Sequence, residues 1–348
     1  MKTEQNYQCY HEIHNQYVQL KATLEYMEGK KEQIRSFFKT EGDVVFLACG
    51  SSYWMSLSAK STMKLKTGRN SYAVKAGDIL LNREEYIGQF VDPIFVCPSR
   101  SGSTSEVLEA LEILKQYYPD SKRIALVEYE NSELEKKSDL VLHLNWANED
   151  SVCQTRSFSS LYLASILIAD TLSENETLFE AARRYIEAAP AYYDRDIPVL
   201  KKIVEENEIN RVICLGSGVQ YGVCIEGAYI VIEVAEFAAN YFQMLEYRHG
   251  PVLLTAPTTA IFLVSSEKSK KYEPKVVSEI RKYSNLVYAV STSSEAGAVH
   301  LFKLEEGCPD EIVAMHFVFC LQSVAYRLAV KNGKNPDAPG DLVPYIQL

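Results

Sequence analysis

Short apolar runs alternate with longer amphipathic stretches along most of the chain. The runs at 44–48, 94–97, 124–127 and 140–142 have the length of buried strands, and residues 106–118 show helical periodicity. The alternation starts again with the runs at 212–215, 260–265 and 286–290. Buried strands that alternate with helices predict an α/β fold, in which each mainly parallel sheet is covered by helices on both faces as three αβα layers.

The two halves of the chain resemble each other. The segment LACGSS at 47–52 and the segment CLGSGV at 214–219 both follow a predicted strand, at a repeat distance of roughly 165 residues. Helices dominate between about residues 155 and 206, and a last helix is predicted over about 310–330. We therefore predict an N-terminal helical segment at 1–40, a first α/β unit at 41–195 and a second at 196–348.

The N-terminal segment carries an apolar stripe at helical spacing, formed by Tyr10, Tyr17, Leu20, Leu24 and Met27. Such a stripe needs a surface to cover it. It either packs on its own domain or contacts a second subunit, and the sequence leaves both possibilities open.

The composition of the chain argues against some classes of binding partner. The net charge of −10 argues against nucleic acid or an anionic membrane, because both attract basic surfaces. The sequence has no uninterrupted apolar run of 18 residues and no secretory leader at its start. Its eight cysteines form no CxxC pair, which indicates buried thiols in a reducing compartment. We expect a cytoplasmic protein without a membrane span.

The segment Ser99–Thr104 is a candidate phosphate site. It follows a predicted strand, opens a predicted helix, and combines four hydroxyls with Arg100 around Gly102. The free N–H groups of a helix N-terminus bind anions, and glycine lets the backbone approach them. Gly50, Ser51 and Ser52 follow another strand of the same predicted sheet. The alternative is an ordinary helix cap, which needs only one hydroxyl.

No cofactor is expected. Both the GxxxxGK[ST] and the GxGxxG patterns are absent, so ATP and NAD are not indicated. The spacing of His, Cys, Asp and Glu suggests no metal site.

Two residues are candidates for acid–base chemistry. His249 lies in the polar loop segment EYRHGP, where a surface histidine is the alternative. Glu233 lies in the nearly apolar helical stretch 225–234, where a buried carboxylate is either paired or functional. Desolvation would make it a stronger base. Glu226, two turns earlier on the same face, is a candidate general base for the same reason.

Five segments together carry a family resemblance: ACGSSY, SRSGSTSE, SVCQTRSFSS, IEGAYIVIEV and EYRHGPV. Their order and spacing resemble those of sugar isomerase (SIS) domains, in particular the isomerase half of glucosamine-6-phosphate synthases, from about residue 43 onward. The resemblance implies two SIS subdomains, each a mainly parallel five-stranded sheet flanked by helices, with the substrate between them. It also implies a homodimer or higher oligomer in which the counterpart of His249 enters the neighbouring subunit's site.

The resemblance also assigns roles residue by residue. The implied phosphate ligands are Ser52, Ser99, Arg100, Ser101 and Thr104, with Arg100 standing where the synthases have glutamine. The implied sugar contacts are Gly50, Ser51, Val152 and Thr155. Glu233 falls at the glutamate that moves the proton, and His249 at the histidine linked to ring opening.

Departures from the family pattern shape the expected reaction. No glutaminase segment precedes the matched region, so no glutamine hydrolysis is expected. The tail lysine of the synthases aligns with about Pro344, and Ile230 replaces their helix lysine. The resemblance therefore favours a deaminase or deglycase that acts on an amino-sugar or fructosamine 6-phosphate. The alternatives are a ketose/aldose phosphate isomerase and a sugar-phosphate sensor without turnover.

Overall fold

The structure is a computed structural model that describes residues 6–293, 297–298 and 300–348. The chain divides into two compact units that alternate along the sequence. The first-sheet unit comprises Val18–Glu149, Arg156–Arg183 and Val343–Leu348. The second-sheet unit comprises Met1–Tyr17, Asp150–Thr155 and Arg184–Leu342.

Each unit is built on a five-stranded parallel sheet. The first sheet has the order β2-β1-β3-β4-β5, with β1 Val44–Ala48, β2 Ser71–Lys75, β3 Ile94–Ser99, β4 Lys122–Val127 and β5 Leu140–His143. The second has the order β10-β9-β8-β6-β7, with β6 Arg211–Gly216, β7 Ala239–Gln243, β8 Thr259–Val264, β9 Val287–Ser291 and β10 His300–Lys303.

The two sheets repeat one topology. In each, the first strand pairs with the second on one side and the third on the other, and the fourth and fifth follow outward. Strand β1 begins at Val44 and β6 at Arg211, so the repeat distance is 211 − 44 = 167 residues. The predicted α/β fold with two similar five-stranded units is therefore confirmed.

Eleven helices accompany the strands in the described part of the chain. They are α1 Gln8–His14, α2 Gln16–Phe37, α3 Gly50–Thr67, α4 Ala76–Asn82, α5 Ser105–Tyr117, α6 Glu133–Lys136, α7 Arg156–Thr171, α8 Thr177–Glu206, α9 Tyr221–Ala235, α10 Glu273–Ile280 and α11 Asp310–Lys331.

Helix α5 shows how the apolar pattern fixes the packing. Its residues Val107, Ala110, Leu111 and Leu114 lie at helical spacing on one face and are all buried in the core of the first-sheet unit. This packing holds the N-terminus of α5 at the end of β3, directly after the loop 100–104.

The apolar runs predicted every strand except three. The unpredicted strands β2, β7 and β10 each lie at an edge of a sheet, and most of their residues are only half-buried. An edge strand exposes one side, so its sequence lacks the continuous apolar run of a central strand.

Helix α3 begins at Gly50 itself, so Gly50, Ser51 and Ser52 form its first turn. Helix α2 continues through Gly29 without a break. The stripe residues Leu20, Leu24 and Met27 are buried within the chain, which favours packing on the protein itself.

Two helical segments reach the length and hydropathy of a membrane span, Gly218–Ala235 and Asp310–Lys331. The protein buries 72% of the first segment's window and all of the second. The buried core helix of a globular domain has the same length and hydropathy. The burial of both segments is therefore consistent with core helices.

Candidate functional site

The loop after β3 folds back on itself through its serine hydroxyls. The Ser99 Oγ accepts a hydrogen bond from the Gly102 N–H at 3.0 Å, and the Ser101 Oγ accepts one from the Ser103 N–H at 3.2 Å. Ser99 and Ser101 are 5% and 4% exposed. The loop therefore forms a tight polar turn at the carboxyl end of β3, where parallel sheets bind ligands.

Only glycine fits at position 102. Its φ of +59° lies in the left-handed region, and an added Cβ would stand 2.6 Å from the Cβ of Ser132 and 3.1 Å from Val127 Cγ1. The Gly102 carbonyl in turn accepts a hydrogen bond from Leu134 N–H at 2.9 Å. The turn is thus locked against the segment that follows β4.

Thr104 precedes the first residue of α5 in an extended conformation, and within the described chain its side chain makes no capping hydrogen bond. A hydroxyl at this position usually caps the helix. Because the Thr104 hydroxyl does not serve the helix, the simple-cap interpretation of the segment loses support.

The predicted partner segment lies at the next strand end. In the register of β1 and β3, Phe46 is opposite Val96, so the residues after Ala48 and after Pro98 emerge at the same edge of the sheet. Gly50, Ser51 and Ser52 form the first turn of α3, and both serines are buried. Helices α3 and α5 therefore both follow strands that end at the same edge of the first sheet, and the first-turn N–H groups of each helix lack intrahelical acceptors.

Arg100 has protein partners of its own. The side chain is 4% exposed, its Nη1 lies 3.4 Å from Glu149 Oε1, and its Nη2 donates to the Pro344 carbonyl at 2.8 Å. A phosphate in the loop would have to compete with these groups for the guanidinium. The assignment of Arg100 as a phosphate ligand thus stays a prediction, while the structure shows what else holds it.

Glu128 is a functional candidate that the sequence analysis missed. It follows β4 directly, is fully buried, and donates its N–H to the Arg100 carbonyl at 3.2 Å. Burial raises the pKa of its carboxyl well above the ordinary value, and the neighbouring charge of Glu149 adds to this. Its position one residue past a strand, beside the strand that carries the loop, could have identified it.

Of the predicted sugar contacts, Gly50 and Ser51 lie in the first-sheet unit, whereas Val152 and Thr155 lie in the second-sheet unit. The Val152 N–H donates to the Asp337 carbonyl at 3.0 Å, and Thr155 is fully buried with its carbonyl accepting from Gln322 Nε2 at 2.9 Å. Their role toward a sugar stays a prediction.

Helix α9 carries both candidate carboxylates. Glu226 is 1% exposed, whereas Glu233 is half-buried and its neighbour Ile232 is 42% exposed. The expectation of complete burial was therefore wrong for Glu233, because the last turns of α9 present one side to solvent. Tyr229 shares the carboxylates' face, and its pKa is raised by burial, by Tyr241 and by both glutamates.

The loop of His249 projects this side chain outward. Tyr247 is fully buried, and Arg248 pairs with Glu279 at 2.6 Å and 3.0 Å. The His249 N–H is bonded to the Glu246 carbonyl at 2.9 Å, and the ring is exposed. Tyr247 and Arg248 are thus anchored and fix the backbone next to the exposed His249. A residue that acts on a bound ligand needs such a fixed backbone.

Among the residues that the structure describes, no group of three or more His, Cys, Asp or Glu side chains is arranged to hold a metal ion. The chemistry available at these positions is that of hydroxyls, backbone N–H groups, carboxyls, a guanidinium and an imidazole.

Comparison with known proteins gives these positions a context. The chain is 24% identical over 346 residues to the isomerizing glutamine–fructose-6-phosphate aminotransferase of Thermococcus kodakarensis, covering 94% of this chain and 56% of that protein. It is 25% identical over 320 residues to the same enzyme of Legionella pneumophila, covering 89% and 52%. The chain spans about half the length of the curated relatives it matches.

Solved structures share the whole fold. Tagatose-6-phosphate ketose/aldose isomerase of Escherichia coli has a TM-score of 0.86 at 20% identity, covering 99% of this chain and 98% of its own. Glucosamine-6-phosphate deaminase of Thermotoga maritima has a TM-score of 0.76 at 24% identity, covering 94% and 99%. The SIS domain model matches residues 37–170. The similarity to SIS domains thus covers the segment 37–170 of this chain.

Proposed function

We propose that the protein is an enzyme that moves a proton between neighbouring carbons of an open-chain sugar phosphate. Its substrate is an amino-sugar or fructosamine 6-phosphate, from which it releases ammonia or an amine. The observation that carries this proposal is the Ser99–Thr104 turn, with its buried Ser99 and Ser101 and its required glycine, at the sheet edge where the strands before α3 and α5 end.

The turn supplies binding energy at the phosphate, away from the reacting carbons. N–H groups and hydroxyls suit a phosphate dianion, and the positive ends of α3 and α5 add to the attraction. Remote binding energy of this kind orients the reacting carbon toward the acid and the base.

Glu233 is the proposed base. Its carboxylate removes the proton from the carbon beside the carbonyl or iminium group, and the electron pair moves into an enediol or enolamine. Return of that proton to the neighbouring carbon shifts the double bond to nitrogen and gives an imine. Water then adds to the imine carbon, the nitrogen takes a proton, and the C–N bond breaks to leave a carbonyl and a free amine.

His249 has the proposed task of opening the sugar ring. An imidazole has one nitrogen that can accept a proton and one that can donate a proton, so it can transfer one between the anomeric hydroxyl and the ring oxygen. Its anchored loop fixes the direction of the side chain without burying it.

The amine in the proposed substrate is supported by the resemblance to stand-alone SIS enzymes. The resemblance aligns about Pro344 with the synthase lysine that forms a Schiff base with the ketose. A deaminase or deglycase already has nitrogen in its substrate, so it needs no such lysine.

The test is a panel of sugar 6-phosphates assayed for ammonia and amine release. It includes glucosamine 6-phosphate, galactosamine 6-phosphate and several fructosamine 6-phosphates. Release from at least one compound, lost in Glu233→Gln and kept in the exposed-carboxylate control Glu208→Gln, is the expected result. Conversion of fructose or tagatose 6-phosphate without any amine release would replace the proposal with a ketose/aldose isomerase. Tight binding with neither reaction would indicate a sensor.

A further inference from the structure

Glu128 is a buried acid with an unusual lack of hydrogen bonds. Its side chain is fully inaccessible, and neither carboxyl oxygen has a hydrogen-bond partner among the residues that the structure describes. Buried polar groups are normally bonded, because an unmade bond in the interior is costly. The proposed proton transfer and phosphate contacts make no use of this side chain.

Its position links it to the phosphate loop. Ser99 and Val127 are opposite each other at the ends of β3 and β4, so Arg100 and Glu128 are the first residues after the two neighbouring strands. The N–H of Glu128 is also bonded to the Arg100 carbonyl at 3.2 Å.

Two buried carboxyl groups, those of Glu128 and Glu149, lie near the buried guanidinium of Arg100. Glu149 is the partner of Arg100 at 3.4 Å and accepts a further hydrogen bond from the Ser157 hydroxyl. Burial raises the pKa of Glu128, the charge of Glu149 raises it further, and Arg100 and Arg156 oppose the rise only in part. The raised pKa favours the protonated form of Glu128 beside the ion pair of Arg100 and Glu149.

Tyr129, the residue after Glu128, has its pKa raised by burial and by the two glutamates, while Arg100 lowers it. Tyr345, in the segment 343–348, also raises the pKa of Tyr129. At Glu128 itself, burial and the charge of Glu149 disfavour ionisation of the carboxyl, whereas Arg100 and Arg156 favour it.

We propose that Glu128 is a positioning residue for Arg100, and that it must be protonated for the loop to bind the substrate phosphate tightly. When Glu128 is neutral, the positive charge of Arg100 and the negative charge of Glu149 cancel. The hydroxyls and helix N-termini of the loop then bind the phosphate with no uncompensated negative charge nearby. An ionised Glu128 draws the guanidinium to itself and places a buried negative charge beside a dianion. This inference rests on the proposed function, since it assumes that the loop binds a sugar phosphate.

Proton linkage follows from this arrangement. Below its pKa in the folded protein Glu128 is neutral, and phosphate binding takes up no proton. Above that pKa the free protein has lost the proton to solvent, so binding takes one proton back from solvent for each phosphate bound. Affinity then falls by up to about tenfold for each further pH unit.

The experiment is calorimetric titration with fructose 6-phosphate between about pH 6.5 and about pH 10, where its phosphate stays largely dianionic. Measurements in buffers of different ionisation enthalpy give the protons taken up. We expect the wild type to lose affinity and take up about one proton in the alkaline part of this range. Glu128→Gln, which mimics the neutral acid, should keep its affinity and take up none.

Two further variants secure the result. Glu130→Gln removes an exposed carboxylate two residues away and should follow the wild type. Glu149→Gln should move the proton linkage to lower pH, because Glu128 then ionises as the only carboxylate beside Arg100; this variant tests the idea even if Glu128→Gln fails to fold.

A pH profile of Glu128→Gln that runs parallel to the wild type would overturn the inference. So would a wild-type affinity that does not change with pH. A wild type that binds no sugar phosphate at any pH would instead contradict the proposed function itself.

Discussion

Glu233→Gln is expected to bind sugar 6-phosphates as the wild type does and to lose turnover by about 10²- to 10⁴-fold. The amide has the shape of the carboxyl but cannot accept the proton from carbon. Because Glu233 is half-buried and no part of the proposed phosphate loop, the change should leave KM and the unfolding temperature almost unaffected. Steady-state kinetics and thermal unfolding measure both quantities.

A matched comparison separates Glu233 from its neighbour on the same helix face. Glu226→Gln alters a carboxyl that is 1% exposed, so its main effect should be on stability. If Glu226→Gln abolished turnover while Glu233→Gln retained it, the assignment of the base would be wrong. Equal turnover in Glu233→Gln and wild type would remove the proposed mechanism altogether.

Gly102→Ala is expected to weaken sugar-phosphate binding by about 100-fold, the loss that follows if two hydrogen bonds to the charged phosphate no longer form. The new Cβ would stand 2.6 Å from Ser132 Cβ, so the turn must shift. A left-handed backbone also costs an alanine about 1–2 kcal/mol, which should lower the unfolding temperature. Calorimetric binding and thermal unfolding measure the two effects.

Gly88→Ala is the control for backbone strain. Gly88 has φ +75°, but a Cβ there would meet no atom within 4 Å. This variant should therefore lose stability without losing phosphate affinity. Binding that is weakened equally in both variants, or in neither, would show that the shape of the 99–104 turn does not determine phosphate binding.

Features that depend on residues close together in the sequence could be predicted from it. Central strands such as Val44–Ala48 are continuous apolar runs because both faces are covered, and the loop after β3 combines its hydroxyls and glycine within six residues. The edge strands β2, β7 and β10 lack this pattern, because one side of each remains exposed.

The charge environment of the loop depends on distant residues. Arg100 contacts Glu149, 49 positions away, and the Pro344 carbonyl, 244 positions away. Glu128 is buried beside them, which its place in the sequence alone does not state. Similarly, nearly every position of α9 is apolar, so its periodicity could not indicate which side the fold covers; the half-burial of Glu233 appears only in the structure.

The most direct test of the account is hydrogen exchange at carbon. Fructose 6-phosphate, tagatose 6-phosphate, glucosamine 6-phosphate and several fructosamine 6-phosphates are each incubated with the protein in deuterated water, and NMR follows the C–H group on the carbon next to the carbonyl. The account predicts deuterium incorporation or product formation for at least one sugar with the wild type and with Glu208→Gln, and none with Glu233→Gln. Sugars that bind but show neither exchange nor conversion would contradict it.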